Sequence, residues 1–389
     1  MLHVAQISFF LDPQKRRPEQ LLRDWWSLVD IAEATQGAGI RVSVIQASHA
    51  PEKFRRNEVD YYFVQPEPER EGEGIARTQT FRRLLAELKP DVCHVHGLGF
   101  LADVAALSAF APQTPILVQD HAGRPPRMWR RRQWRKALSV VSSVTFCARE
   151  QARPYEEARL FHPQTVIYEI PECSTRFMPG EQATARQLTG MDGDPCVLWV
   201  GHLDQNKDPL TVLDGVARAA QRLPGLRLWC CFASAALLRQ VRNRIDGDSL
   251  LAGRVHLVGY VPHERIETMM QAADLFVIGS RREGSGYSLI EALACGLPPV
   301  VTDIPSFRSL TGGGAVGTLW PCGDAPYFSE ALVEINRRPR HELRLATRAH
   351  FDREISFEAV GRKFAAAYAD VAQRMPSHSS VVQFEAQPS

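Results

Sequence analysis

Short β-branched or aromatic runs alternate with amphipathic stretches along the 389-residue chain, and that alternation stops once and then starts again. Parallel strands need a crossover, and a crossover helix must bury one face, so this pattern predicts a parallel sheet covered by helices. In the first half the strand runs are 3–9, 41–47, 61–64, 91–96, 116–119, 144–147 and 165–168. Between them Leu21, Trp25, Leu28, Val29 and Ala32, and later Phe81, Leu84, Leu85 and Leu88, recur at helical spacing. Pro171, Pro179 and Gly180 then punctuate an irregular segment, and strand runs resume at 196–200, 226–231, 255–258, 275–278, 299–302 and 315–319. The prediction is two α/β domains, 1–170 and 181–355, joined by a linker at 171–180. Residues 328–338, 341–351 and 357–373 read as helices, with 356–375 expected to pack back towards the first domain. Residues 376–389, polar and without period, are predicted to be a flexible tail.

Composition fits that division. A length of 389 suits about two domains, and 44% hydrophobic with 23% charged residues supplies a core for each. No stretch approaches the roughly 18 apolar residues of a membrane-spanning helix, and the first residues run into a strand instead of a leader-like pattern. A net charge of +2 gives no pull towards nucleic acid, and no RNA-binding motif is present. The eight cysteines show no C-x-x-C spacing, and Cys93, Cys147, Cys196, Cys230 and Cys231 lie in or beside apolar runs. Such cysteines behave as small hydrophobes in a reducing compartment, so a cytoplasmic location is expected.

Residues 273–296 carry the strongest chemical signal, reading as strand, loop and helix. Gly284 and Gly286 let backbone N–H groups approach a ligand, and a helix starting near Tyr287 aims its unpaired donors at the same place. A diphosphate there, cradled by Gly284, Ser285, Gly286 and Tyr287, would leave Glu283 near a sugar. Glu291, four residues beyond Tyr287 and on the same helix side, would lie near a ribose, whose vicinal hydroxyls suit a carboxylate acceptor. The spacing alone fits equally a solvated charge at a helix start and a surface carboxylate. His94 and His96 alternate along one strand without a third ligand at zinc-like spacing, which favours packing over metal binding, and no metal site is expected.

Glu283 to Gly286 followed by Glu291 to Pro298 resembles the E-x7-E region of retaining family-four glycosyltransferases of the GT-B fold. Residues 200–210 are similar to that family's strand-end loop with its donor-phosphate lysine, here Lys207, and residues 300–308 to the strand and loop after the E-x7-E helix. Residues 166–171 stand where members carry a V-I-x-N-G-like turn, and 90–97 and 118–123 also look like family strand ends. The resemblance covers most of residues 196–325. It implies a GT-B architecture, two Rossmann-like domains facing across a cleft, with the nucleotide on the C-terminal domain and the acceptor side on the N-terminal one. It implies that His121 faces the donor sugar, that transfer retains the anomeric configuration, and that no cofactor is needed beyond the nucleotide-sugar donor itself.

Two positions depart from the family pattern. His202 stands where members often carry an arginine that pairs with the donor phosphates, and residues 9–18 replace a glycine-rich turn bordering the acceptor side. The expected site is therefore His121, Lys207 and Glu283 for catalysis, with His202, Lys207, Gly284, Ser285, Gly286, Tyr287 and Glu291 holding the donor. The expected reaction is hexosyl transfer to an acceptor that the sequence does not identify. A GT-B nucleotide-sugar epimerase and a non-catalytic nucleotide-sugar binder are the alternatives, while a Rossmann oxidoreductase is disfavoured because no G-x-G-x-x-G follows the first strand. Residues 124–136 are densely basic with Trp129 and Trp134 interleaved. They read either as a solvated helix face or as a peripheral contact with the anionic inner face of a membrane.

Overall fold

A computed structural model describes residues 1–65, 76 and 78–374, so the predicted tail at 376–389 lies outside the described residues. One eight-stranded sheet is built from β1 (His3–Ser8), β2 (Arg41–Ala47), β3 (Glu52–Arg56), β4 (Val59–Val64), β5 (Val92–His96), β6 (Ile116–Gln119), β7 (Ser143–Phe146) and β8 (Val166–Glu169), in the order β3-β4-β2-β1-β5-β6-β7-β8. A six-stranded sheet follows from β9 (Cys196–Val200), β10 (Arg227–Cys231), β11 (Val255–Gly259), β12 (Leu275–Ile278), β13 (Pro299–Thr302) and β14 (Thr318–Trp320), in the order β11-β10-β9-β12-β13-β14. Strands such as β6, β7, β12 and β13 are buried along their whole length, as expected where helices cover both faces of a parallel sheet.

Among the parallel strands, the order reverses direction once in each sheet. In the first, β1 pairs with both β2 and β5; in the second, β9 pairs with both β10 and β12, with Leu275 opposite Val197 and Phe276 opposite Leu198. A crevice opens at such a switch point beyond the carboxyl ends of the strands.

Several bounds differ from the sequence reading, and three of the differences have a visible cause. β3 (EKFRR) was not foreseen: it is the antiparallel edge strand, mostly exposed, with the Phe54 ring 5.4 Å from Tyr61 and 5.8 Å from Phe63. The helix expected through Leu21 and Ala32 is two helices, Pro18–Asp24 and Trp26–Gly37, because Trp25 leaves helical geometry at ψ 54°. That break sets its ring 5.7 Å from Phe10 and beneath the Arg16 guanidinium. β14 starts three residues late because Gly317 is left-handed (φ +79°) and lies against the Pro299 carbonyl.

The chain crosses between the sheets twice. After the 170–181 segment and the second sheet, helix Arg340–Glu354 packs on helix Tyr287–Ala294. Helix Phe357–Arg374 then returns to bury Val360, Phe364, Ala367, Tyr368 and Val371 against Val4, Val42 and Val44. Its crossing with helix Trp26–Gly37 is set by Gly361, where an added Cβ would sit 2.5 Å from the Ala34 carbonyl oxygen. Helix propensity favours Gly361→Ala by roughly 1 kcal/mol, but backbone-to-backbone overpacking costs about 1–3 kcal/mol. Packing is expected to win. Chemical unfolding should show Gly361→Ala less stable than the native chain, and a more stable variant would contradict this close approach.

Candidate active site

Because β9 and β12 are neighbours, the loops leaving their carboxyl ends lie side by side and are stitched together. The Arg281 N–H donates to the Asn206 carbonyl (2.7 Å), the Asn206 amide donates to the Arg282 carbonyl (3.0 Å), and the Arg281 guanidinium pairs with Asp208 (2.6 Å). The Lys207 N–H is held by the Asp204 carboxylate at 2.9 Å. Gly279 allows this proximity, since a Cβ there would lie 3.0 Å from the Lys207 carbonyl oxygen. The result is a largely buried ion pair between Lys207 Nζ and Glu283 Oε1.

Helix Tyr287–Ala294 starts immediately after Gly286, whose φ of +89° and absent side chain are both required. A Cβ at Gly286 would fall 2.6 Å from the Phe307 ring. With glycine as N-cap, no side chain of that residue accepts from the first turn of the helix, the end that favours an anion. One turn in, Glu291 is buried and its Oε1 lies 2.6 Å from His263 Nε2. That hydrogen bond to Glu291 raises the His263 pKa above the ordinary histidine value. Tyr287 and Glu291 line a cavity of about 1050 Å³ together with His263, His121, His96 and Glu172.

The opposite wall comes from the first sheet. Ser8 at the end of β1 and His96 at the end of β5 reach the cavity at that sheet's switch point, beside Phe10, Trp25 and Leu28. His121, two residues past β6, places Nδ1 2.9 Å from Glu172 Oε2 and Nε2 3.4 Å from His96 Nδ1. Behind it the His96 and His94 rings stack at 4.4 Å, and His94 Nδ1 lies 2.6 Å from the Tyr368 hydroxyl of the returning helix. Burial lowers the His94 pKa to about 3 and that of His96 well below normal, so this pair is packed and neutral. Burial also raises Asp120 to about 6, against the hydrogen bond it accepts from the Gly123 N–H.

The two walls touch. The Arg282 guanidinium donates to the carbonyls of Ala122 (3.0 Å) and Gly123, and the Gln151 amide donates to the carbonyls of Glu283 (2.9 Å) and Gly284 (2.7 Å). A Cβ at Gly284 would lie 2.7 Å from Ala122 Cβ and 3.1 Å from Glu172 Oε1.

Of the residues singled out from sequence, His121, Tyr287 and Glu291 therefore share one cavity, and Lys207 joins Glu283 beside it. His202 does not line that cavity: it is exposed and accepts from the Ser234 N–H at 3.3 Å. Glu172, His263, Gln151 and Arg282 were not foreseen. His263 and Glu291 are 28 residues apart and Arg282 and Ala122 160 apart, and no local pattern encodes such contacts. Glu172 lay in the segment read as a plain linker, directly after the V-I-x-N-G-like turn. In the basic stretch Trp134 turns to the core, its ring 6.5 Å from Tyr155, while Met128 and Trp129 are 80% and 75% exposed. Among the described residues no cluster of three metal-ligating side chains occurs and no helix is long and apolar enough to cross a membrane.

Two family descriptions match the chain, glycosyl transferases group 1 over residues 181–350 and glycosyltransferase family 4 over residues 26–169. The GDP-mannose:cellobiosyl-diphosphopolyprenol alpha-mannosyltransferase of Xanthomonas oryzae pv. oryzae is 26% identical over 236 residues, 59% of this chain and 60% of that protein. The alpha-D-kanosaminyltransferase of Streptomyces kanamyceticus is 25% identical over 289 residues, 69% of this chain and 73% of that protein. Among solved structures, Anabaena HepE in complex with UDP superposes with a TM-score of 0.69 at 17% identity, covering 95% of this chain and 100% of HepE. Sucrose-phosphate synthase from Thermosynechococcus elongatus superposes with a TM-score of 0.64 at 18% identity, covering 95% and 99%.

Proposed function

We propose that this chain, which belongs to the family 4 glycosyltransferases of the GT-B fold, moves a hexosyl group from a nucleotide-sugar to an acceptor hydroxyl with retention of the anomeric configuration. One observation carries the reading: a glycine loop opens a helix beside the largely buried Lys207–Glu283 pair, with Glu291 one turn inside that helix. The relatives are named for transfers, which favours transfer over epimerisation, and their alpha designations support retention.

Breaking the anomeric C–O bond leaves negative charge on the diphosphate and positive character on the sugar. Lys207 and the N–H groups at Ser285 to Tyr287 offset the first, in a site where preorganised donors are worth most. Before the donor arrives Lys207 and Glu283 satisfy each other. Insertion of the diphosphate draws Lys207 away and frees Glu283 to accept from the sugar hydroxyls, while Glu291 accepts from the ribose. His121 faces the sugar from the other wall. The acceptor oxygen attacks from the face the diphosphate leaves, and its proton passes to the departing phosphate oxygen, so neither glutamate has to act as a nucleophile. His202, held by Ser234, adds no fixed positive charge to the donor phosphates, which makes Lys207 the dominant cation there.

The basic stretch extends this reading to a surface. Exposed Met128 and Trp129 among Arg124, Arg127, Arg130 and Arg132 suit the headgroup region of an anionic bilayer on the cytoplasmic side. Co-sedimentation with vesicles should require anionic lipid and weaken steeply with salt; binding indifferent to both would remove the membrane from the account.

The two glutamates should separate in calorimetry. Glu291→Gln removes a carboxylate acceptor worth about 1.5–3 kcal/mol, so affinity for free nucleoside diphosphate should fall about tenfold or more. Glu283→Gln should leave that affinity unchanged or tighter, because Lys207 no longer has to leave a partner, while turnover drops more than about tenfold. Equal losses of diphosphate affinity in both variants would contradict the assignment.

A further inference from the structure

The crossover between the sheets contributes a carboxylate that the donor-site reading does not use. Glu172 is 9% exposed. Its Oε2 lies 2.9 Å from His121 Nδ1, and its Oε1 lies 3.1 Å from where a side chain on Gly284 would begin. It therefore stands between the histidine of one wall and the glycine loop of the other, on the segment that joins the two sheets. We propose that Glu172 is a positioning residue for the donor site, holding the His121 ring in one orientation and one tautomer. This rests on the reading that His121 faces the donor sugar.

The tautomer follows from hydrogen-bond inventory. A carboxylate accepts and does not donate, so the nitrogen beside it carries the proton, and in neutral His121 that leaves Nε2 with its lone pair. In the free chain that lone pair meets His96 Nδ1 at 3.4 Å, a long contact with a ring that burial keeps neutral. A sugar hydroxyl entering the cavity can donate to Nε2 in its place. Without Glu172 the ring is free to rotate and to place its proton on Nε2, where it could no longer accept from the sugar. Because Glu172 also abuts the Gly284 loop, the histidine is set correctly only when the two walls are together.

A merely structural Glu172 would destabilise the chain without depending on His121, so the test is a cycle of Glu172→Ala, His121→Ala and the double variant. The donor is whichever of a nucleotide-sugar panel most raises the melting temperature, turnover is read as nucleoside diphosphate release, and calorimetry follows the nucleoside diphosphate. Glu172→Ala should lower kcat at least about tenfold with diphosphate affinity within about twofold, and should cost no more than about twofold further when His121 is already alanine. Glu172→Gln, whose amide oxygen can still accept from Nδ1, should recover most of the loss. Ring nitrogen chemical shifts, assigned by their disappearance in His121→Ala, should report Nδ1–H in the native chain, mainly Nδ1–H in Glu172→Gln and a mixture in Glu172→Ala. This reading holds even if the alanine variant does not fold. An Nε2–H tautomer in the native chain, or equal effects of Glu172→Ala with and without His121, would overturn the proposal. A large effect of His121→Ala with none from Glu172→Ala would sink it alone, whereas no effect of His121→Ala would sink it together with the placement of His121.

Discussion

The hydrogen-bonded pairing of β9 with β12 is the constraint on which the site depends. These strands are separated by two others in sequence yet adjacent in the sheet, and their parallel register sends both following loops off the same edge. Lys207 and Glu283 meet for that reason alone, 76 residues apart. The same device in the first sheet, β1 beside β5, brings Ser8 and His96 to a common edge. Each sheet thus presents its switch point to the cleft, and the crossings near residues 170–181 and 355–357 hold the two edges opposite each other.

The carboxylates of the cleft meet partners within it. Lys207 is matched by Glu283, His263 by Glu291, and His121 by Glu172. Leaving the buried Glu291 or Glu172 carboxylate without a partner would be costly, so these groups stand in pairs, which under the proposed function a donor would exchange for its own contacts. The walls are tied by contacts at the rim as well as within. Arg308 meets Glu150 at 2.6 Å, and the Ser309 hydroxyl donates to the Cys147 carbonyl (2.8 Å) and the Glu169 carboxylate (2.7 Å). A rim ion pair of this kind is weak in water, whereas the inner contact of Gly284 with Ala122 sets how closely the walls approach.

Much of the architecture was legible because parallel strands buried on both faces must be written as unbroken apolar runs, and β9, β12 and β13 were found at their observed bounds. β3 escaped because an exposed edge strand is under no such demand: four of its five residues are charged. Trp25 looked helical by spacing but serves a turn that packs its ring on Phe10. In the site, Glu283, Gly286, Tyr287 and Glu291 were readable together because a loop and helix start encode them locally. Lys207 and His121 were reached through resemblance to known strand-end loops. Glu172, His263 and Arg282 were not, since each gains its meaning from a partner distant in sequence. His202, expected on the donor from its position in the motif, accepts from the Ser234 N–H.

Under the proposed function the diphosphate of the donor takes Lys207 from Glu283. A crystal structure of the chain with a bound nucleoside diphosphate tests it most directly. The account predicts phosphate oxygens within hydrogen-bonding distance of Lys207 Nζ and the N–H groups at Ser285 to Tyr287, the ribose hydroxyls on Glu291, and the Lys207–Glu283 pair broken. A nucleotide bound away from the start of helix Tyr287–Ala294, or bound there with that pair intact, would contradict it.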